Sequence, residues 1–289
     1  KKSFTEALDN DLNTSLGITA LYDVLKADTM LAGMKEAAKK GIIVACHCED
    51  ESLGKAAKPL RQEGTFESIT KANEYLALAE DTATIRNLML AKEANCRIHV
   101  CHVSTANSID AIRAAKEDFY SPLMVTCEVT PHHFGLSGTD EENIHNIVNP
   151  PLRSEEDRIY LIEAMRDGTV DVISTDHAPH TEEEKSRGLE KSPFGIVGIE
   201  TAFPLLYTYL VKTGVITLER LVDLLVKNPR ERFNIPYNGY SIWCLDEESI
   251  IDSKDFLSKG KSTPFEGFKI YGVNYLTVSH GNVVYKRKG

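Results

Sequence analysis

Four short apolar runs rich in β-branched residues, each followed by a stretch with helical periodicity, constrain this chain most. "GIIVACH" precedes "ITKANEYLALAEDTATIRNLMLAKEA", and "CRIHVCHVS" precedes "TANSIDAIRAAKEDF". "LMVTCEVT" precedes "EEDRIYLIEAMRDG", and "VDVISTD" precedes "GIETAFPLLYTYLVKTG" and "TLERLVDLLVKN". Strands regularly followed by helices predict a parallel sheet with helices packed outside it. The flanks read differently. Residues 3–26 form one amphipathic helical pattern through Leu8, Leu12, Leu16, Ile18, Leu21 and Leu25, and "DTMLAGMKEAAKK" is a second helix. After about Asn234 the pattern turns to alternation, in "YSIWCLD" and "FKIYGVNYLTVSHGNVVYK", with Gly281-Asn282 as a hairpin signal.

Polar, histidine-bearing residues follow all four strands: His47, His102, Glu128 to His133, and Asp176 to His180. The carboxyl ends of the strands carry the active site of a (β/α)₈ barrel and the crevice of an open doubly wound sheet. Convergence of four such loops on one centre favours the barrel. The expected fold is therefore α/β, a partial TIM-like (β/α)₈ barrel over 28–234, with a helical segment over 1–27 and a small β-appendage over 235–289.

The chain's net charge of −10, from 33 basic and 43 acidic residues, argues against a nucleic-acid or membrane-surface partner, since both require a basic face. No apolar run reaches the roughly 18 residues that a membrane-spanning helix needs. Cys46, Cys48, Cys96, Cys101, Cys127 and Cys244 lie mostly within apolar runs and read as free thiols of a reducing cytoplasm. The chain opens Lys-Lys without an initiator Met and reads as a trimmed or partial product.

"DVISTDHAPHTEEEK" carries the sharpest chemical signal. A carboxylate at the end of a buried strand, here Asp176, can ligate a metal and shuttle a proton from its water. The same aspartate could instead cap the helix that the acidic "TEEE" announces; His177 and His180 beside it favour the functional reading. His47 and His102 end their strands as candidate metal ligands. His99, three residues before His102, points to the opposite face and reads as a packing or supporting residue. In "EVTPHHFGL", His132 and His133 read as a loop-holding pair, and Glu128 as a weaker candidate ligand. Asn149, stiffened by the two prolines of "NPPLRSEEDR", suits recognition of an amide or imide edge, in a turn leading to a helix capped by Ser154. In "SPFGIVGIE", the Phe194-Gly195 backbone can approach a ligand closely because glycine lacks a Cβ.

"HCEDESL", "HVCHVST", "VTPHHFGLS", "NPPLRSEEDR", "STDHAPHTEEEK" and "PFGIVGIETAFPLLYT", in this order, closely resemble the bacterial dihydroorotases of the amidohydrolase superfamily, and "DSKDFLSKGKSTPFEGFKIYG" extends the likeness into the β-appendage. The resemblance implies zinc-dependent, reversible hydrolysis of L-dihydroorotate to N-carbamoyl-L-aspartate in pyrimidine biosynthesis. It implies His47, His102 and Asp176 as metal ligands, with Asp176 also the catalytic proton shuttle. It implies Asn149, His180, Phe194 and Gly195 as substrate contacts, His180 facing the substrate carboxylate and Phe194 and Gly195 touching the ring through backbone. Two zinc ions are expected in the family.

The chain departs from that pattern in two places. The family's first barrel strand carries His-x-His followed by a carboxylate-binding arginine, and no His-x-His occurs in this sequence. The family's bridging carboxylate would fall near Thr19 or Ala20; Asp23 is the nearest acid. In their place "FTEALDNDLNTSLGITALYDVLKA" resembles a helical segment of cysteinyl-tRNA synthetases. The expectation is one bound zinc ion or none, and little or no activity unless another polypeptide supplies the missing strands. Competing readings are a hydantoinase- or allantoinase-like cyclic amidase, and a non-catalytic scaffold. The expected partners are a small-molecule substrate and either a second copy of the chain or aspartate transcarbamoylase.

Overall fold

The computed structural model of the chain describes residues 27–119, 121, 124–138, 147–188 and 191–287. The helix expected over residues 3–26, together with Thr19, Ala20 and Asp23, lies outside the described residues.

α1 (Ala27–Lys39) leads into β1 (Val44–Cys46), and α2 (Glu51–Glu63) and α3 (Phe66–Ala94) follow. Then come β2 (Ile98–Val100), α4 (Ala106–Asp118), β3 (Val125–Val129), the short α5 (Pro131–Gly135) and α6 (Glu155–Asp167). β4 (Val172–Ile173) precedes the single turn α7 (Glu182–Lys185). α8 (Ala202–Leu206) and α9 (Leu218–Val222) each widen into a π-helical turn, and the second continues as α10 (Asn228–Phe233).

The four expected strands pair in parallel in the order β1-β2-β3-β4, with Val44 beside Ile98, Ile98 beside Val125, and Glu128 beside Val172. A doubly wound sheet reverses its strand order at a switch point. Among the described strands the order is strictly sequential, as in a barrel wall. Ile98, Val100, Val125, Cys127 and Val129 of β2 and β3 are essentially inaccessible. Ile109, Ile112, Leu161, Met165, Leu206, Leu210, Leu221 and Leu224 of the outer helices are equally buried in the same core. Each such side chain contributes about 1.5–3 kcal/mol by leaving water.

Local chemistry explains most helix boundaries. Ser154 caps α6 by accepting from Asp157 N–H, Glu155 to Asp157 occupy its first turn, and Gly168 ends it at φ 91°. Thr65 and Ser68 form a reciprocal capping box for α3. α2 was not anticipated. Asp50 caps it by accepting from Ser52 and Leu53 N–H, and Gly64 ends it at φ 68°. Only Ala57 of this helix is fully buried, and Pro59 interrupts its pattern, so it has little periodic signal.

A buried polar seam joins α3 to the loops above the sheet. Arg153, 8% exposed, donates to Ser104 Oγ (2.9 Å), to the carbonyls of Asn73 (2.9 Å) and Leu76 (3.2 Å), and to Glu80 Oε2 (3.2 Å). Glu80, 4% exposed, also accepts from the N–H groups of Ser104 (2.7 Å) and Thr105 (3.2 Å). The seam therefore fixes both the segment after Asn149 and the segment after His102.

β5 (Gly239–Ile250), β6 (Lys269–Ser279) and β7 (Asn282–Lys286) form a three-stranded antiparallel sheet. Its hairpin turns at His280-Gly281, both at positive φ (49° and 77°), one residue earlier than the sequence suggested. Between β5 and β6 the chain returns to the barrel. Glu200 accepts from the N–H groups of Leu257 (2.7 Å) and Ser258 (3.0 Å), and Val197 N–H donates to the Ser262 carbonyl (2.8 Å). Gly260 lies so close to His180 that a Cβ would stand 2.4 Å from the His180 carbonyl oxygen.

Removing one member of a buried ion pair strands the other in a dry site. Arg153→Ala and Glu80→Ala should each lower the unfolding free energy by about 3–5 kcal/mol, and the double variant should cost well below their sum. Urea unfolding of the four proteins measures this.

Candidate active site

The ladder between β1 and β2 continues one bond past the strands, Cys101 N–H donating to the Cys46 carbonyl (3.0 Å). The chains therefore leave the sheet at the same level, and the imidazoles that follow meet. His47 Nδ1 lies 2.9 Å from His102 Nε2, with the rings edge to face at 70°. His102 takes φ 35° beyond β2 and Asp176 takes φ 45° beyond β4, so two strands separated by β3 both end in left-handed backbone, a conformation L-residues seldom adopt.

Carboxylates flank the rings of His47 and His99, whereas the buried Nδ1 of His102 has no partner among the described residues. Glu49 Oε2 lies 3.1 Å from His47 Nε2 and accepts from Asn149 Nδ2 at 2.9 Å, so one oxygen ties His47 to the proline-stiffened loop. Glu128 Oε2 lies 3.0 Å from His99 Nε2, and Glu128 Oε1 accepts weakly from His102 N–H at 3.4 Å. His99 is buried, its Nδ1 2.8 Å from Thr126 Oγ1 and its ring against Phe233. His133 spans Thr130 Oγ1 (2.8 Å) and the Pro150 carbonyl (2.9 Å), which fastens α5 to the Asn149 loop. His132 is equally buried, and its Nε2 has no partner among the described residues.

Burial and these neighbours set the charges. Burial and adjacent His47 pull His102 down to about 4, and burial and His102 pull His132 down to about 3, so both are neutral near pH 7. The hydrogen bond from His47 holds the Glu49 carboxyl below the ordinary range. Burial pushes Glu128 up, but the hydrogen bond and charge of His99 outweigh it and leave the group lowered. Asp176 moves the other way, raised by burial and then by the charge of Glu128.

On the far side of the site, His180 Nε2 lies 2.8 Å from the Phe194 carbonyl. Gly195, at φ 127°, packs on Ala178 so tightly that a Cβ would fall 2.5 Å from it. His177 Nδ1 accepts from Gly198 N–H (3.1 Å) and thus braces this loop from below. The Arg61 guanidinium stacks over the Phe194 ring, 4.0 Å from its centroid.

The structure thus joins His47 to His102, Asn149 to His47 through Glu49, and His180 to Phe194. It places Asp176 within electrostatic range of His47 and Glu128. Among the described residues no group of three or more His, Cys, Asp or Glu side chains is arranged to hold a metal. The two facing nitrogens stand in hydrogen-bond contact at 2.9 Å, closer than the roughly 3.3 Å that tetrahedral ligands at 2.0–2.1 Å from zinc keep, so the rings would have to part slightly to share an ion. Sequence reasoning missed Glu49 and Arg61. Glu49 stands two residues beyond His47 in "HCED" and had a readable signal as an orienting carboxylate. Arg61 is on the unanticipated α2 and had none.

Residues 24–240 match the amidohydrolase family. The chain belongs to the amidohydrolase family. Within it, the chain is 42% identical to dihydroorotases of Bacillus cytotoxicus and Bacillus cereus, over all of this chain and 69% of each relative. An L-hydantoinase from Arthrobacter aurescens has the same fold at 28% identity and a TM-score of 0.83, over 91% of this chain. A D-hydantoinase from Thermus sp. follows at 25% identity and a TM-score of 0.81. The chain spans 61% of the length of each of these hydantoinase structures. Amidohydrolase membership implies a metal cofactor. Residues 3–39 also match a DALR domain, which takes in most of the segment that reads as foreign to the amidohydrolases. Among the described residues no helix is long and apolar enough to cross a membrane.

His102 and His132 are neutral when folded but titrate near 6.5 in an unfolded chain. Below that pH the unfolded state binds protons that the folded state refuses, so stability falls as pH drops from about 6.5 toward 4. Each group should contribute a slope of roughly 1.4 kcal/mol per pH unit across that window. Urea unfolding midpoints between pH 7 and pH 4.5 measure it, and His132→Leu should flatten the dependence.

Proposed function

We propose that this amidohydrolase carries the dihydroorotase reaction, reversible hydrolysis of L-dihydroorotate to N-carbamoyl-L-aspartate in pyrimidine biosynthesis. The observation that carries the reading is the approach of His47 Nδ1 to His102 Nε2 at 2.9 Å, on a chain 42% identical to dihydroorotases. His47 and His102 hold a zinc ion in this reading, with Asp176 as the adjoining carboxylate. A bound divalent ion supplies acidified water and polarises the ring carbonyl. Asp176 takes a proton from the attacking water and returns it to the departing ring nitrogen. Its raised carboxyl pKa supports that part, because a proton shuttle works best when its affinity approaches the working pH.

Asn149 presents its amide to the imide edge of the ring, and Glu49 holds both that amide and His47 in place. Phe194 and Gly195 offer backbone atoms to the ring, and His180 faces the carboxylate. Arg61 above Phe194 adds positive charge on a chain whose net charge is −10, which favours a substrate bearing a carboxylate over a neutral hydantoin. Two imidazoles and one carboxylate form a thin donor set, so the proposal includes weak metal retention and slow turnover by the chain alone. The hydantoinase fold neighbours support the second reading, a related cyclic amidase. The buried free thiols of Cys46, Cys48, Cys96 and Cys127 support a cytoplasmic location, and a second copy or aspartate transcarbamoylase is the proposed macromolecular partner.

The purified chain, given zinc and L-dihydroorotate, should form N-carbamoyl-L-aspartate at a rate that rises with added zinc and stays below the range of about 1–10³ s⁻¹ common among enzymes. Asp176→Asn should cut that rate by about 10²-fold or more. Turnover of hydantoin or allantoin but not dihydroorotate selects the second reading. Turnover at ordinary rates without added zinc overturns the weak-site proposal.

A further inference from the structure

Lys185 ends the single turn α7, the short helix that the acidic "TEEE" announces. Its ammonium turns inward. Nζ donates to the carbonyls of Ile147 (3.1 Å), Pro193 (3.0 Å) and Gly195 (3.0 Å). An ammonium has three N–H donors and no acceptor, so three carbonyls saturate it. Among the described residues it forms no ion pair, and burial beside Arg61 pulls its pKa down to about 8. A lysine that served only as packing would not desolvate its charge at this cost.

The three carbonyls belong to two loops far apart in sequence. Ile147 lies two residues before Asn149, and Pro193 and Gly195 flank Phe194. The loops also meet directly, Gly195 N–H donating to the Ile147 carbonyl at 2.9 Å. The Phe194 carbonyl is the partner of His180 Nε2, and Ser192 Oγ donates to the Lys185 carbonyl at 2.8 Å, which closes the ring of contacts. Asn149, His180, Phe194 and Gly195 thus all hang on backbone that converges on one ammonium.

We propose that Lys185 is a positioning residue of the substrate site, a three-way clamp that holds the Asn149 loop and the Phe194-Gly195 loop at the spacing that receives the substrate ring. The identity of that ring rests on the dihydroorotase reading; the clamp itself does not. Lys185 touches backbone only, so its loss should weaken substrate binding and spare the proton transfer at Asp176.

Two variants test this. Lys185→Met keeps the stem and removes the donors. Lys185→Arg keeps the charge but replaces a compact three-way donor with a planar fork. Hydrogen–deuterium exchange needs no ligand: in Lys185→Met, peptides covering 147–149 and 193–197 should exchange about tenfold faster while those of α3 and α6 stay unchanged. With L-dihydroorotate, both variants should raise KM about tenfold and keep kcat within about threefold of the parent. Unchanged exchange in Lys185→Met overturns the clamp, and a general rise in exchange overturns it equally, because Lys185 would then be a residue of global folding. A parental KM in Lys185→Arg overturns positioning in favour of simple charge attraction. Absence of dihydroorotate turnover in the parent chain overturns the substrate reading instead, and the exchange comparison still decides the clamp.

Discussion

The site depends on parallel ladders that outlast their strands. Cys101 N–H reaches the Cys46 carbonyl and Ser174 N–H the Val129 carbonyl, each one residue beyond its strand, and Val103 N–H reaches the Glu128 carbonyl past the turn at His102. These bonds bring successive strand ends out of the sheet together, so residues some fifty positions apart arrive at one level. His47 and His102 meet for that reason and no other. The left-handed turns at His102 and Asp176 then aim the side chains; the surrounding hydrogen bonds over-determine a backbone that would relax if left alone.

Around this rim directional polar contacts add to a small apolar cluster of Val148, Leu152 and Ile196 in tying the loops down. Arg153 and Glu80 grip the base of the Asn149 and His102 loops, Glu49 bridges His47 to Asn149, and His133 anchors α5 to Pro150. Directional bonds hold these loops with little added volume.

Much of this was legible in the sequence. All four strands were visible because each is short, β-branched and bounded by polar residues, and the cap at Ser154 was readable from side-chain chemistry alone. Legibility failed where the deciding contact is long-range. α2 exposes most of its surface, so it lacks a periodic stripe. Lys185 has the look of an ordinary surface lysine, because only the fold reveals three carbonyls waiting for it. The hairpin centre moved by one residue because His280 accepts a left-handed backbone that the sequence pattern assigned to its neighbours. Strand alternation does not reach His102, which lies two residues past β2 in a left-handed turn, and the partner of each ring nitrogen of "IHVCHV" was equally illegible.

Gly260 belongs to the connection between two strands of the C-terminal sheet, far in sequence from any reactive group, yet its bare Cα presses against the backbone of His180. The backbone of His180 is therefore supported by the appendage. A methyl group added there would displace the histidine without touching it chemically, and a geneticist mapping inactive alleles would find a lesion of catalysis in a residue that has no chemistry of its own.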